Sequence, residues 1–531
     1  MVNMNTSGAA LAAFLTVMTA SVSAEESYRD ASPVINEYFE LVFSGNYDIA
    51  GDMWTPEALE RSGRFGIRFT GIPIKADCNS PLMRNLDVLA SKGVAPIRKY
   101  ETLGDKQEWY QVEYADVFGS ALLKHNYYLQ RRGDWFWLGY SQDFYSTGWP
   151  VVESRYLRIR THPAMQKYLN SIGLAEADRF VEQMANRLNM TDKMLASIGT
   201  TKIEYFFCPT DSAVQQMSGF LVKGTLDLAS NDIISADFPH FHEMTHLLVN
   251  IRLQELPLYT LPFVREGLAV YLAGRWGKHP APLMDLAVFL YEQELIVFDS
   301  ILTMSGFEAE SGADIVYPVA GLFTSYLVEK MGMPKFLDLY LRLSGKFPEV
   351  DGLSVNDVQT AFTKAAGRTS WDDLKTDFVN YLKRHKEKDV VALPGVGKQG
   401  KKIIDDTRFT VFDDGDWLAF EFSAAPGDTL CQGNLLFGPI DSLKGQVSSL
   451  FESQYHDGTL VDGYRYGVRY DQNEAGLYDY VTNQLVAKYI WGITPSDDYF
   501  SAEQKKIAVR FRKSLLNGLL PEKGQCRLLP M

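Results

Sequence analysis

The chain has 531 residues, a formal net charge of −14 at pH 7 and a hydrophobic content of 46%. At about 100–200 residues per domain, this length predicts a folded multidomain protein, and the composition excludes wholesale disorder. The acidic excess argues against a nucleic-acid partner, which would select a basic surface. No apolar run in the sequence reaches the ~18–20 residues that span a bilayer, so we expect no transmembrane span.

The first 24 residues have the pattern of a secretory signal peptide. Residues 9–20 form a short apolar stretch, and residues 22–24 are small or β-branched and precede an acidic pair. This pattern predicts cleavage after Ala24 and a secreted or periplasmic mature protein, although the segment before the apolar stretch has no Lys or Arg. A buried N-terminal helix is the alternative interpretation.

The sequence has four cysteines, which could form disulfide bonds in an oxidising compartment. They are widely separated, which excludes the CxxC spacing of zinc ribbons and redox motifs. Cys431 and Cys526 lie in the same C-terminal region. We therefore predict a disulfide bond between them, which would contribute ~4–5 kcal/mol in the loop-entropy description. Free buried thiols are an equal alternative for Cys78 and Cys208.

The region 25–152 has the pattern of an α+β domain. Residues 33–46 begin with a proline and carry apolar residues at helical spacing, which predicts an amphipathic helix. Aromatic and β-branched runs then predict antiparallel strands over 108–118, 121–130 and 134–140. The outline is similar to the cone-shaped fold of nuclear-transport-factor type, in which aromatic side chains line a ligand pocket; ordinary sheet core is the alternative.

Residues 153–388 are predicted to be mainly helical, and they end in an amphipathic helix with Ser370 as its N-cap. A segment rich in Gly, Pro and Lys at 389–402 is predicted to be a linker. β-like runs then return, which predicts a β-rich C-terminal domain over 403–531. The expected fold class is therefore α+β multidomain, with a mainly helical domain between two flanking domains.

Residues 240–246 read HFHEMTH. On a helix, His242 and His246 share one face one turn apart, and Glu243 flanks that face. This is the HExxH arrangement, in which two neutral imidazoles hold Zn²⁺ and the glutamate faces the metal-bound water. His240 lies two positions before His242 and cannot share the ligand face, so we do not expect it to be a ligand.

A second helix is predicted to begin at Pro262 and to end at Gly274, a residue type that is common just beyond helix ends. It carries Glu266, with nineteen residues between this glutamate and His246. A catalytic zinc site takes three protein ligands and keeps one open position, and His₂Glu is one such set. We therefore predict one Zn²⁺ per chain, held by the two histidines and Glu266. Gly267 is expected to let the two helices approach closely.

HEMTH, nineteen further residues and then REGLAVYLAG resemble the gluzincin metallopeptidases, the clan of thermolysin and the aminopeptidase-N-like enzymes. A later stretch, IVYPVAGLFTSYLVEKMG, resembles the segment that bears the catalytic tyrosine of aminopeptidase-N-like enzymes, with Tyr317 at the matching position. The resemblance covers about residues 200–385. It implies that Glu243 is the general base toward a metal-activated water and that Tyr317 hydrogen-bonds the oxyanion. A tyrosine packed at a helix start is the alternative.

The resemblance also implies an edge strand ahead of the metal helix, where an extended substrate pairs by β-augmentation. We predict this strand at Gly224–Ala229, in a strand pair that is broken at Lys223-Gly224. A hairpin that merely supports the helix is an equal alternative.

Two departures from the gluzincin pattern bear on function. The sequence has no GxMEN-like segment ahead of the metal helix, where aminopeptidase-N-like enzymes bind the substrate's free N-terminus, and Val270 stands where thermolysin-like enzymes have an Asp. We therefore predict an exported zinc endopeptidase that acts on peptide or protein substrates. The alternatives are a catalytically inactive periplasmic scaffold or binding protein on the same fold, and a zinc amidase that acts on a non-peptide amide.

Overall fold

The structure is a computed structural model of the chain. It describes residues 33–529 except for 87–101, 107–108, 119–120, 310–312, 347–348, 385–389, 393–399, 425–432, 440–462, 471–473, 483, 491–505 and 524. The predicted signal peptide, its cleavage site and Cys431 lie outside the described residues. Of the helices described, none has the length and hydropathy needed to cross a membrane.

Two compact units divide the chain. The first contains Met1–Val152, Arg158–His162 and Ile203–Ala236, and the second contains Glu153–Leu157, Pro163–Lys202 and Asp237–Met531. Helices and sheets occur in both units, so the protein is α+β and multidomain, as the sequence predicts.

The N-terminal helix of the first unit spans residues 33–43, which confirms the predicted amphipathic helix. Its buried side chains follow helical spacing and include Ile35, Tyr38, Phe39 and Val42. The other helices described in this unit are short: Tyr47–Gly51, Pro56–Gly63, Pro81–Arg84, Ser141–Tyr145 and Asp211–Ser218.

A four-stranded antiparallel sheet follows the N-terminal helix, and all three predicted strands are confirmed. Its strands, in spatial order, are Thr102–Lys106, Trp109–Phe118, Ala121–Arg132 and Trp135–Gly139. Aromatic rings join the sheet to the N-terminal helix: the Tyr127 ring centroid lies 6.1 Å from that of Tyr38 and 5.5 Å from that of Phe39. Edge-to-face contacts of this kind add to the stabilisation from burial.

A five-stranded sheet has the order Val151–Glu153, Leu157–Thr161, Ile203–Phe207, Asp232–Ser235, Gly224–Asp227. The last strand therefore lies at an edge of the described sheet, as predicted for 224–229. The predicted break of the strand pair at Lys223-Gly224 is wrong, because the antiparallel partners are 224–227 and 232–235. The chain reverses at 228–231 instead, where Asn231 takes a left-handed φ of 61°, a conformation that asparagine tolerates.

The second unit contains most of the described helices. They are Ser171–Arg187, Asp192–Thr201, Phe241–Leu253, Pro262–Ala273, Pro280–Glu292, Met304–Ala309, Ala313–Met331, Met333–Arg342, Val355–Ala365 and Trp371–Arg384. Ser370 caps the last helix as predicted, since its hydroxyl accepts a hydrogen bond from the Asp373 backbone N–H at 3.1 Å.

Two five-stranded sheets form the C-terminal part of the second unit. One has the order Val390–Ala392, Lys506–Arg512, Trp417–Ser423, Phe409–Asp414, Lys401–Asp405, and the other Gln484–Ile490, Glu474–Asp479, Tyr464–Tyr470, Gly433–Pro439, Arg527–Leu529. Their inner faces share one apolar core, in which the rings of Phe422 and Tyr470 stack with centroids 3.7 Å apart.

Part of the segment predicted as a linker, 389–402, is strand in this structure. Val390–Ala392 pairs with Lys506–Arg512, and Lys401 begins a further strand. The two adjacent valines explain the first strand, because β-branched side chains suit a pleated surface.

The described cysteines are free thiols. Cys78 and Cys208 are buried, and Cys526 is partly buried. Since Cys431 lies outside the described residues, its disulfide bond with Cys526 stays a prediction.

Candidate metal centre

The helix Phe241–Leu253 presents the two histidines of HEMTH on one face. Their rings have centroids 4.8 Å apart, and the Nε2 atoms of His242 and His246 are separated by 3.2 Å. His240 precedes the helix as its N-cap, because its Nδ1 accepts a hydrogen bond from the Glu243 backbone N–H at 3.4 Å. The cap fixes where the helix begins and so which face carries the histidines.

Glu266 joins this pair from the next helix, which begins at Pro262 and ends before Gly274 as predicted. Its Oε2 lies 3.1 Å from His242 Nε2 and 3.6 Å from His246 Nε2. Side-chain exposure is only 4% for His242, 15% for His246 and 8% for Glu266. The three predicted ligands therefore meet in one buried group, with one ligand atom from each within 4.8 Å of the others.

Gly267 has a different partner from the one expected. A Cβ at this position would lie 2.5 Å from Thr324 Oγ1, and one at Gly321 would lie 2.5 Å from Val270 Cγ1. Thr324 and Gly321 both belong to the helix Ala313–Met331. The expected role of Gly267 toward the HEMTH helix is thus wrong: the two glycines bring the Glu266 helix against the helix that carries Tyr317. Val270 fills this contact, which explains an apolar residue at that position.

The Gly274 carbonyl orients the imidazole of His242. His242 Nδ1 lies 2.8 Å from this oxygen, and because a carbonyl only accepts, Nδ1 carries the proton. Nε2 is then the lone-pair nitrogen that faces Glu266, as a metal ligand requires. Glycine is needed at 274, since its φ is 78° and a Cβ would lie 1.9 Å from the Lys278 carbonyl oxygen.

Two arginines that sequence reasoning missed bind Glu266. Arg265 Nε donates to Oε1 at 2.9 Å, and Arg275 Nη1 donates to Oε2 at 2.8 Å and to His242 Nε2 at 2.9 Å. Burial alone would raise the pKa of Glu266, but its interactions with His246 and Arg265 outweigh burial and hold this pKa well below its usual value. The Glu266 carboxylate is therefore ionised at neutral pH.

Tyr317 lies beside the same arginine. The Arg275 Cζ atom stands 3.7 Å from the centroid of the tyrosine ring, and the rings of Trp276 and Phe307 pack edge-on against it at 5.6 Å and 5.1 Å. Burial raises the pKa of Tyr317, and the negative charge of Glu266 raises it further, so its hydroxyl keeps its proton at neutral pH.

Glu243, the predicted general base, is half-buried in the first turn of the HEMTH helix. Its negative charge acts on two neighbours: it raises the pKa of Tyr317 and opposes the lowering of the pKa of His240 that burial causes. The predicted base and the predicted oxyanion donor therefore lie within electrostatic range of each other.

No protein-family model, curated protein or solved structure matches this chain. The resemblance to gluzincins accordingly rests on the motif residues quoted above.

Proposed function

We propose that the protein is a zinc-dependent metallopeptidase of gluzincin type. One observation carries the proposal: His242, His246 and Glu266 contribute two imidazole nitrogens and a carboxylate oxygen to one buried group. This is a donor set that zinc takes in catalytic sites. Ligand atoms at about 2.0–2.2 Å from one ion, at tetrahedral angles, stand about 3.3–3.6 Å apart. The separation of 3.6 Å in this group lies within that range, and those of 3.1 and 3.2 Å lie just below it.

The protonation states of the group suit a cation. The hydrogen bond to the Gly274 carbonyl places the proton of His242 on Nδ1 and leaves a lone pair on Nε2, and Arg265 supports the ionised form of Glu266. When bound, zinc supplies Lewis acidity toward water and toward the scissile carbonyl.

The remaining steps fall to two side chains of this protein. In the proposed reaction, Glu243 accepts the proton of the attacking water and passes it to the leaving amine, because a glutamate next to the metal ligands is placed for general acid–base catalysis. The Tyr317 hydroxyl donates a hydrogen bond to the developing oxyanion. Its elevated pKa supports this role, since a donor must keep its proton.

We propose endopeptidase action on exported or periplasmic substrates. The first 24 residues support export, and the interval between Cys208 and His240 has no GxMEN-like ammonium-binding segment. A charged N-terminus buried without carboxylate partners costs free energy, so internal cleavage of an extended chain is favoured.

Arg275 favours a second candidate, a catalytically inactive scaffold or binding protein. Its Nη1 hydrogen-bonds Glu266 Oε2 and His242 Nε2, which are two of the atoms that zinc would need. With these contacts the buried carboxylate is neutralised by the protein itself, and the group has the character of an internal ion-pair network.

Metal analysis and cleavage assays separate the two candidates. Purified mature protein should contain about one zinc per chain and should cut members of a diverse peptide library. If the protein binds no zinc even when zinc is added in excess, and if it cuts no peptide in the library, the scaffold candidate is supported.

A further inference from the structure

The first unit encloses a cavity of about 600 Å³ that the proposed peptidase chemistry does not use. Its volume lies within the ~300–1,000 Å³ of typical small-molecule sites. Aromatic side chains form much of its wall: Trp54, Tyr127, Tyr128, Tyr140 and Tyr145. Trp54, Tyr127, Tyr128 and Tyr140 are themselves buried, so the wall is built into the core of the unit.

The charge of the cavity is one-sided. Asp77, Glu113 and Asp227 line it, whereas none of its described lining residues is Lys or Arg. His125 also lines it, but burial lowers the pKa of this histidine to about 4, so the imidazole is neutral at neutral pH. Three cations lie behind the wall. Arg84 donates to the Cys78 carbonyl and to Asn79 Oδ1, Arg61 lies 5.2 Å from the Tyr140 ring centroid and lowers the pKa of Asp227, and Lys75 donates to the Ala229 carbonyl.

Two acceptor atoms in this wall lack a donor at ordinary hydrogen-bond geometry. Asp77 is 2% exposed; its Oδ2 accepts from the hydroxyls of Tyr38 at 2.9 Å and Tyr127 at 3.1 Å. Its Oδ1 is buried and has no hydrogen bond of ordinary geometry among the described residues, although the Ser80 hydroxyl also lowers the pKa of this carboxyl; Asn126 Oδ1 likewise has no such hydrogen bond. Buried acceptors of this kind cost free energy unless a donor reaches them. Both residues line the cavity, so a ligand within it can supply that donor.

Burial raises the pKa of Asp77 to about 7, as expected for a carboxyl group that has hydroxyl neighbours but no cation beside it. The tyrosine and tryptophan rings offer their negative faces to a cation. A ligand that fits these features carries positive charge, N–H donors and enough apolar surface to contact the rings.

We propose that this cavity binds a small organic ammonium ion. Its N–H groups donate to Asp77 Oδ1 and Asn126 Oδ1, and its carbon skeleton lies against the aromatic wall. A neutral sugar would also offer donors and stack on aromatic rings, but it would bring no positive charge to Asp77, which has hydroxyl neighbours and no cation among the causes of its pKa shift.

Calorimetric titration of the full-length mature protein tests the proposal with two probes of nearly equal shape, benzylammonium and benzyl alcohol. Benzylammonium should bind at least tenfold more tightly, because only this probe carries charge. Maltose serves as the neutral polyol. Equal binding of the two benzyl probes, binding of maltose alone, or no binding of benzylammonium would each overturn the proposal.

Variants locate the site. Asp77→Asn keeps an acceptor for the two tyrosine hydroxyls but removes the charge, so benzylammonium should bind at least tenfold more weakly. Asp52→Asn removes the same charge from an exposed position of this unit and should leave the affinity unchanged. If Asp77→Asn fails to fold, Asn126→Leu replaces it, since it removes one acceptor from a half-buried position. Unchanged affinity in a folded variant of either residue would contradict the assignment. These readouts do not involve zinc or cleavage, so they are independent of the proposed peptidase.

Discussion

Glu266 and Asp77 are both buried carboxyl groups, yet their pKa values shift in opposite directions. Burial raises the pKa of each, but at Glu266 the interactions with His246 and Arg265 outweigh burial, whereas Asp77 has only hydroxyl donors and its pKa reaches about 7. The comparison teaches that the neighbours of a buried acid, and not its depth, decide whether it is ionised.

The two regions therefore suit different cations. The carboxylate of the candidate metal centre is already ionised and lies beside two imidazoles, which suits a bare metal ion. The hydrogen-bond partners of Asp77 are hydroxyl groups instead. Its surroundings suit an organic cation that supplies hydrogen-bond donors and apolar surface of its own. Five experiments break or sharpen this contrast.

His246→Ala should have the largest effect of the five on zinc content and on peptide cleavage, since it removes one of three proposed ligands. We expect the zinc content to fall from about one per chain to a small fraction, with loss of all peptide cleavage. Elemental analysis after dialysis measures this. Asp77→Asn is the matched control in the other region and should keep its zinc. Unchanged zinc in His246→Ala would refute the metal assignment.

Glu243→Gln should lower kcat by about 10²–10⁴ while zinc content stays at the wild-type level, because the amide is nearly isosteric but cannot accept the proton. Peptide cleavage and elemental analysis on the same preparation measure both quantities. Glu255→Gln, an exposed glutamate of the same unit, should retain full activity. Equal kcat in Glu243→Gln and the wild type would exclude Glu243 as the base.

Asp77→Asn should change how stability depends on pH. The folded-state pKa of Asp77, about 7, lies above the ~3.9 of an unfolded aspartate. The resulting penalty is absent below pH ~4, grows between pH 4 and 7, and is complete above the folded-state pKa, where it reaches a few kcal/mol. Asparagine does not ionise, so the variant should gain stability relative to the wild type between pH 5 and pH 8.

Urea denaturation of the wild type and of Asp77→Asn at pH 5 and at pH 8 measures this gain in the free energy of unfolding. The neighbours Tyr38 and His125 do not titrate in this range, because burial raises the pKa of the first well above 10 and lowers that of the second to about 4. Asp52→Asn should show no such gain, and a parallel pH profile for Asp77→Asn and the wild type would contradict the raised pKa.

Arg275→Gln should strengthen zinc binding, because it removes one of the two guanidinium groups that contact Glu266. We expect the zinc dissociation constant to fall by about tenfold, since a positive charge near the ligands repels the metal and occupies two of their atoms. Competition with a chelating dye measures it. Lys278→Gln removes a charge from the same turn and should change zinc affinity little. Weaker zinc binding in Arg275→Gln would show that Arg275 supports the metal site.

N-acetylation of a good peptide substrate should have the smallest effect. An endopeptidase does not bind the free ammonium group, so we expect less than a twofold change in kcat/KM. Mass spectrometry of the products checks the mode of cleavage. Stepwise loss of N-terminal residues that acetylation abolishes would identify an aminopeptidase instead.

Features that depend on short sequence spacing could be predicted. The i, i+4 pair of HEMTH, the start and end of the Glu266 helix and the three strands of the first sheet are local patterns, and the structure has them where the sequence places them. Whether the group holds zinc and turns over peptides stays a prediction.

Features that depend on distant packing could not be predicted. The partner of Gly267 lies 57 positions away at Thr324, and nothing in the local sequence distinguishes it from the HEMTH helix. Arg265 precedes Glu266 in the same helix, and this adjacency to a proposed ligand was the available signal for a charge cluster, whereas Arg275 lies beyond the end of the helix and is not adjacent to Glu266 in sequence. The hairpin at 228–231 was missed because Lys223-Gly224 is also a plausible turn.

The use of a main-chain oxygen to hold His242 makes this part of the site resistant to side-chain mutation. Side-chain replacement cannot delete the Gly274 carbonyl, so only a change in the course of the backbone can release the imidazole. That course is fixed by paired backbone hydrogen bonds between Arg275 and Lys278, at 3.1 Å and 2.9 Å. A designer who wished to loosen the imidazole without touching a ligand would therefore work on this four-residue turn.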